Sequence, residues 1–199
     1  MKAKTRATAA APRQFRLKTL AQAHAFVRAV GKCTIFPDKK SGAQNLWDVI
    51  DLPEKKPGEA GWGQKIGAAW SWKNQLPAEY PEEIFYGKDE AGRAVLMTLA
   101  HLAQEHYPKF HRPVEQGSAM ARKIYAKVKV EPMTTGALRQ AVAGKDKALR
   151  AAFSKAMIEL QVTLNIVRSN APEITTDTWL RFGELYPVIA AGKAQALSS

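Results

Sequence analysis

His101, Glu105, His106 and His111 stand close together in the chain and are of the types that hold metal ions. Their spacing does not suit one. Side chains five apart on an α-helix diverge by a large angle, so His101 and Glu105 share a face but His106 does not, and Pro108 is expected to end the helix before His111. No metal site and no cofactor is expected. No Gly-rich phosphate loop, no Ser/His/Asp order and no His-Glu-x-x-His occurs. Cys33 is the single cysteine, which excludes an intrachain disulfide and fits a reducing compartment. It lies in the apolar run Cys33-Thr34-Ile35-Phe36 with no cation placed to lower its pKa, and reads as a buried structural thiol.

The chemistry on offer is electrostatic. The chain carries a formal charge of +12, unevenly spread. Residues 1–37 hold eight Lys or Arg and no acid; residues 117–170 hold ten basic and three acidic residues, a surplus of seven. Residues 38–90 hold seven basic and ten acidic, a deficit of three. A basic surplus favours a polyanion, either nucleic acid or an anionic membrane surface. No apolar stretch approaches a membrane span, and the basic N-terminus lacks the apolar core of a secretory signal, although a mitochondrial transit peptide has a similar composition. The expected partner is double-stranded DNA with no membrane, in the cytoplasm and on the nucleoid. Lys145, Lys147, Arg150, Ser154 and Lys155 would face it from one helix, with Arg168 and Asn170 reaching the backbone or minor groove from the hairpin that follows. Such contacts give affinity without reading sequence. An ordinary solvated helix face would carry the same residues.

Trp62, Trp70, Trp72, Tyr80, Phe85 and Tyr86 are interleaved with Lys65, Lys73 and Lys88. Rings beside cations suit base stacking. The alternative is a core, since Ile66 and Trp70 have the spacing of one packed face, and core packing is the preferred reading.

The elements that must position these residues make a mostly helical α+β chain: a flexible basic arm over 1–15, a helix and β-hairpin subdomain over 16–113, and a winged-helix domain with a C-terminal helix over 114–199. Leu17 to Val30 reads as a helix with Leu17, Leu20, Ala21, Val27 and Val30 on one face, ended by Gly31. Cys33 to Phe36 reads as a short strand, Leu46 to Asp51 as a helix capped by Asn45, and Trp62 to Gln75 as a helix closed by Pro77. Ile84–Lys88 and Arg93–Met97 flank a turn and form a hairpin. Thr98 caps a helix through Glu105 to Tyr107. Three helices follow, from Ser118, from Thr134 or Thr135, and over 145–161, the last with Leu149, Ala152, Phe153, Ala156, Met157 and Leu160 inward. Thr163 to Arg168 and the aromatic pair Trp179 and Phe182 supply a two-stranded wing, and Gly183 to Leu197 a final helix broken near Pro187.

Helix, helix, helix and wing, together with Val30-Gly31-Lys32-Cys33-Thr34-Ile35-Phe36-Pro37, Asn45-Leu46-Trp47-Asp48, Trp70-Ser71-Trp72-Lys73, Leu76-Pro77 and Phe85-Tyr86-Gly87-Lys88, resemble the AlkZ-like (YcaQ-related) proteins. The resemblance covers roughly Val30 to Arg168. It implies a fold of tandem winged helices and a relation to DNA glycosylases that act on crosslinked or alkylated bases. Those enzymes carry a catalytic Gln-x-Gln or a close variant with a carboxylate in the second place. None of the ten glutamines here is followed two places later by Gln, Asp or Glu. The chain is also shorter than the full-length enzymes, so a first winged helix carrying the active site is expected to be absent. The leading expectation is a DNA-binding member without catalysis. One alternative is a glycosylase using another acid, such as Glu105 or Asp48. The other is a protein-interaction module, a homodimer included, marked by an exposed apolar patch around Ile158.

Overall fold

The computed structural model describes residues 15–38, 42–173 and 176–192. The expected basic arm, apart from residue 15, and the end of the expected last helix lie outside the described residues.

Helix α1 (Leu20–Val30) starts where Thr19 Oγ1 accepts the Gln22 amide and stops at Gly31, whose φ of 74° suits a residue without Cβ. It buries Ala23, Phe26 and Val27. The expected face therefore holds fully at Val27 alone. Leu20 and Val30 pack at its edge, Ala21 is exposed, and Leu17 precedes the helix, bridged to Ile50. Strand β1 (Lys32–Thr34) is shorter than expected. Asn45 caps α2 (Leu46–Val49), as expected, by accepting the Asp48 amide at 2.8 Å.

Helix α3 (Gln64–Glu79) runs past Pro77, which was expected to close it. Pro77 sits near the helix end, where one missing amide is tolerated, and its ring is buried. Trp72 faces inward with Ala69 and Leu76. Strands β2 (Ile84–Lys88) and β3 (Ala94–Thr98) form the expected hairpin, and the first sheet has the antiparallel order β1-β3-β2. Its turn is closed by Asp89, whose carboxylate accepts the Ala91 and Arg93 amides.

Thr98 caps α4 (Leu99–His101), which continues through a π-helical turn (Leu102–His106) into α5 (Tyr107–Phe110). Pro108 thus lies within the helix instead of ending it; the helix does stop before His111, at Phe110, with His111 as its extended C-cap. The π turn shifts the hydrogen-bond ladder where Pro108 can donate nothing.

Ser118 caps α6 (Ala119–Val128), β4 (Met133–Thr134) follows, and Thr134 caps α7 (Thr135–Ala143). Helix α8 (Lys147–Val162) ends on Leu164 at φ 54°, with the Asn165 amide returning to the Leu160 carbonyl at 2.9 Å. That conformation costs a leucine about 1–2 kcal/mol, which burial of its side chain offsets. Strands β5 (Ile166–Arg168) and β6 (Thr178–Arg181) complete a second antiparallel sheet, order β4-β6-β5. Phe182 leaves the hairpin and opens α9 (Phe182–Leu185), and α10 (Pro187–Ala190) follows the break at Tyr186. The chain is a mostly helical α+β protein with two small antiparallel sheets.

Three apolar cores result among the described residues. The first packs α1, α2 and α3 on the first sheet around Phe26, Trp72 and Leu76. The second joins α6, α7 and α8 to the second sheet around Ile124, Phe153 and Trp179. The third draws from both halves: Phe85, Val95, Met97, Leu99 and Leu102 meet Leu164, Val167, Phe182, Tyr186 and Ile189.

Candidate nucleic-acid interface

Asp146 fixes where α8 begins, its carboxylate accepting the Leu149 amide at 2.8 Å. Lys145 therefore lies in the turn before the helix, not on its face as expected. Lys147, Arg150, Ser154 and Lys155 lie on α8, and all five residues are exposed. Arg150 Nε donates to the Gly144 carbonyl at 2.8 Å, which holds its side chain across the α7–α8 turn. Ser154 Oγ donates to the Arg150 carbonyl at 3.1 Å. The inward side of α8 is Phe153, Ala156, Met157 and Leu160, and Leu149, expected inward, is 42% exposed. The nearby acids are turned to structural use. Asp146 is the cap, and Glu159 accepts the Ser118 amide at 2.7 Å at the start of α6. Among the described residues, none of Lys145, Lys147, Arg150 and Lys155 is in an ion pair.

Arg168 and Asn170 are placed differently. The Arg168 side chain is 12% exposed and its Nε is paired to the Asp177 carboxylate across the hairpin. Asn170 Nδ2 donates to the Pro77 carbonyl at 2.9 Å, tying the hairpin to α3. Both line a cleft of about 410 Å³ with Asn74, Gln75 and Glu79. They do not join the α8 cations. The same region holds a residue that the sequence places among the cations interleaved with the aromatic block. Lys73 is 6% exposed, with Nζ 4.6 Å from the Trp70 ring centroid, 5.0 Å from that of Tyr86 and 2.8 Å from Asn74 Oδ1. Burial first, and then the Arg168 charge, bring its pKa down to about 8. The i, i+3 spacing of Trp70 and Lys73 was the available signal.

A sequence model of the AlkZ-related family matches residues 17–178. The chain belongs to the AlkZ-related family. Neither a curated protein nor a solved structure matches it. Membership relates the chain to DNA-repair glycosylases and, at the level of the family, to DNA. Among the described residues no helix is long and apolar enough to cross a membrane.

The remaining polar candidates of this AlkZ-related chain are occupied otherwise. Glu105 is ion-paired to Lys109 and exposed, and that partner holds its carboxyl below the usual range, the reverse of what a general acid needs. Asp48 Oδ2 accepts from Asn45 Nδ2 at 2.7 Å in the α2 cap. Cys33 is buried, and burial pushes its thiol up to about 12. Among the described residues no group of three His, Cys, Asp or Glu is placed to hold a metal ion. His106 is 1% exposed with Nε2 unpartnered among the described residues, and burial brings its pKa down to about 4. Ile158 is 46% exposed and lies beside the hairpin turn at Gly92, where an added Cβ would meet it at 3.3 Å. Leu149 and Ile158 lie about half a turn out of phase on α8, so they share no apolar patch.

The aromatic block divides. Trp72 and Phe85 are core, Tyr80 and Tyr86 are partly buried, and Trp62 and Trp70 are 67% and 41% exposed. Trp70 was expected to pack inward with Ile66. With Trp72 inward, Trp70 two places earlier on α3 points elsewhere.

Proposed function

We propose that this chain is a winged-helix protein that binds double-stranded DNA without a catalytic step of its own. The observation that carries the reading is the exposed turn and first half of α8, where Lys145, Lys147, Arg150 and Lys155 are in no ion pair among the described residues, while Asp146 caps α8 and Glu159 accepts the Ser118 amide. Family membership supports the link to DNA, and the element order supports the fold: helix, short strand, two helices, then a hairpin whose second strand is central in the sheet and also pairs with the short strand. In such a fold the third helix offers its solvent face to the major groove. The subdomains proposed are an arm over 1–15, a first unit over 16–113 and the docking unit over 114–199, acting in the cytoplasm on the nucleoid. Arg168 and Asn170 serve this reading by holding the hairpin, and contact DNA at its edge. Reversing Lys147, Arg150 and Lys155 to Glu is expected to abolish mobility shift of duplex DNA at low salt. The unmodified protein should show a steep linear fall of log affinity with log salt. Duplex binding unchanged by the triple reversal would sink the reading.

A further inference from the structure

Phe36, Trp62 and Trp70 are exposed at 38%, 67% and 41%, and Trp70 lies beside each of the other two. The Trp62 and Trp70 rings are 5.8 Å apart, Phe36 and Trp70 6.2 Å, and Phe36 and the partly buried Trp47 5.7 Å. One aromatic surface is thus assembled from the exit of β1, helix α2, the loop before α3, and α3 itself. It is a built surface. The Lys65 amide donates to the Pro53 carbonyl at 3.1 Å, and Lys65 Nζ pairs with Glu54 at 2.9 Å. The backbone at Lys55 lies so close to Gly63 that an added Cβ would stand 2.6 Å from its nitrogen. These contacts hold the loop carrying Trp62 onto α3. Cations sit against the rings: Lys65 Nζ is 4.7 Å from the Trp47 centroid and Lys73 Nζ 4.6 Å from that of Trp70. Phe36 also borders a cleft of about 690 Å³ lined by Lys88. Lys88 is in no ion pair among the described residues, whereas Arg93 in the same cleft is committed to Asp38 and Asp89.

We propose that Phe36, Trp62 and Trp70 form a stacking platform for unpaired bases of a single DNA strand, with Lys88 beside it taking a backbone phosphate. Indole and phenyl rings offer a π-face to any base, and Lys88, which shares a cleft with Phe36 and is in no ion pair among the described residues, favours a polyanion over an apolar peptide. The platform lies on elements separate from α8, and it depends on the duplex-binding reading only for the identity of the polymer.

The test uses the full chain with a fluorescein-labelled oligo(dT) strand and with a blunt duplex, followed by anisotropy and by tryptophan emission. The single strand should bind and quench the tryptophans. The Trp62→Ala/Trp70→Ala double variant should lose about 5- to 100-fold in single-strand affinity and hold its duplex affinity within about twofold, at unchanged circular dichroism. Trp62→Phe/Trp70→Phe, which keeps the rings, should recover most of the loss. No single-strand binding by the unmodified protein at low salt overturns the proposal, as does a double variant that binds the strand normally. Self-association abolished by the same variant would mark a contact between copies and also overturn it. The α8 triple reversal separates the two readings: duplex binding that survives it sinks the α8 reading and leaves the platform standing.

Discussion

His106 shows how one side chain sets a pH response. Its Nε2 is buried without a partner among the described residues, and burial holds its pKa near 4, below the ordinary 6.5. As pH falls, the unfolded chain takes up this proton first. Stability present above pH 6.5 is therefore lost between about 6.5 and 4, by up to about 3 kcal/mol. His101, also shifted down chiefly by burial, acts in the same sense. Urea denaturation at stepped pH should show the decline, and His106→Leu should flatten most of it. A wild-type profile level from pH 6.5 to 4.5 would refute the assignment. The burial of Cys33 was legible, because an apolar run with no neighbouring cation has one ordinary meaning. The placement of His106 was not. On an α-helix residues five apart diverge, whereas a π turn bonds i to i+5 and draws them to one side.

At the scale of elements, the hairpin and α3 complete one another. The Pro77 carbonyl lies in the last turn of α3, where the amide four residues on would belong to Pro81, which has none. Asn170 supplies the missing donor. Asn170→Ala should cost about 1 kcal/mol and lower the melting temperature by about 2–4 °C, measured by calorimetry. An unchanged melting temperature would show that water replaces the amide at no cost. The caps Thr98 and Asn45 were readable, and that of α7 was narrowed to Thr134 or Thr135, because a cap is a local contract between residues three apart. The start of α8 was placed at 145 instead of 147 because Asp146 was not read as its cap. Pro77 misled because proline's cost depends on how near it stands to the helix end and on what its ring packs against. No rule of local sequence reports either.

At the scale of the molecule, the third core decides how the halves behave. Phe182 contacts Phe85, Tyr107 and Tyr186, so it touches both sides of the expected boundary at residue 114. Phe182→Ala should cost about 3–5 kcal/mol. Far-ultraviolet circular dichroism and tryptophan emission should continue to report one coincident transition. Two separated transitions in the unmodified protein would show that the halves fold apart. This partnership was hidden in the sequence. Phe182 was read as a wing residue, and nothing within twenty positions of it says that its neighbours are Phe85 and Tyr107. The elements were legible because their signals are local; their assembly was not, because the third core joins residues that the chain keeps far apart. The same core imposes an order in time during synthesis. Phe85, Val95, Met97, Leu99 and Leu102 leave the ribosome well before Leu164, Phe182 and Ile189, which cover them. At roughly 5–20 residues per second the nascent chain carries that apolar face bare for on the order of ten seconds, an interval in which its yield depends on what else in the cell binds it first.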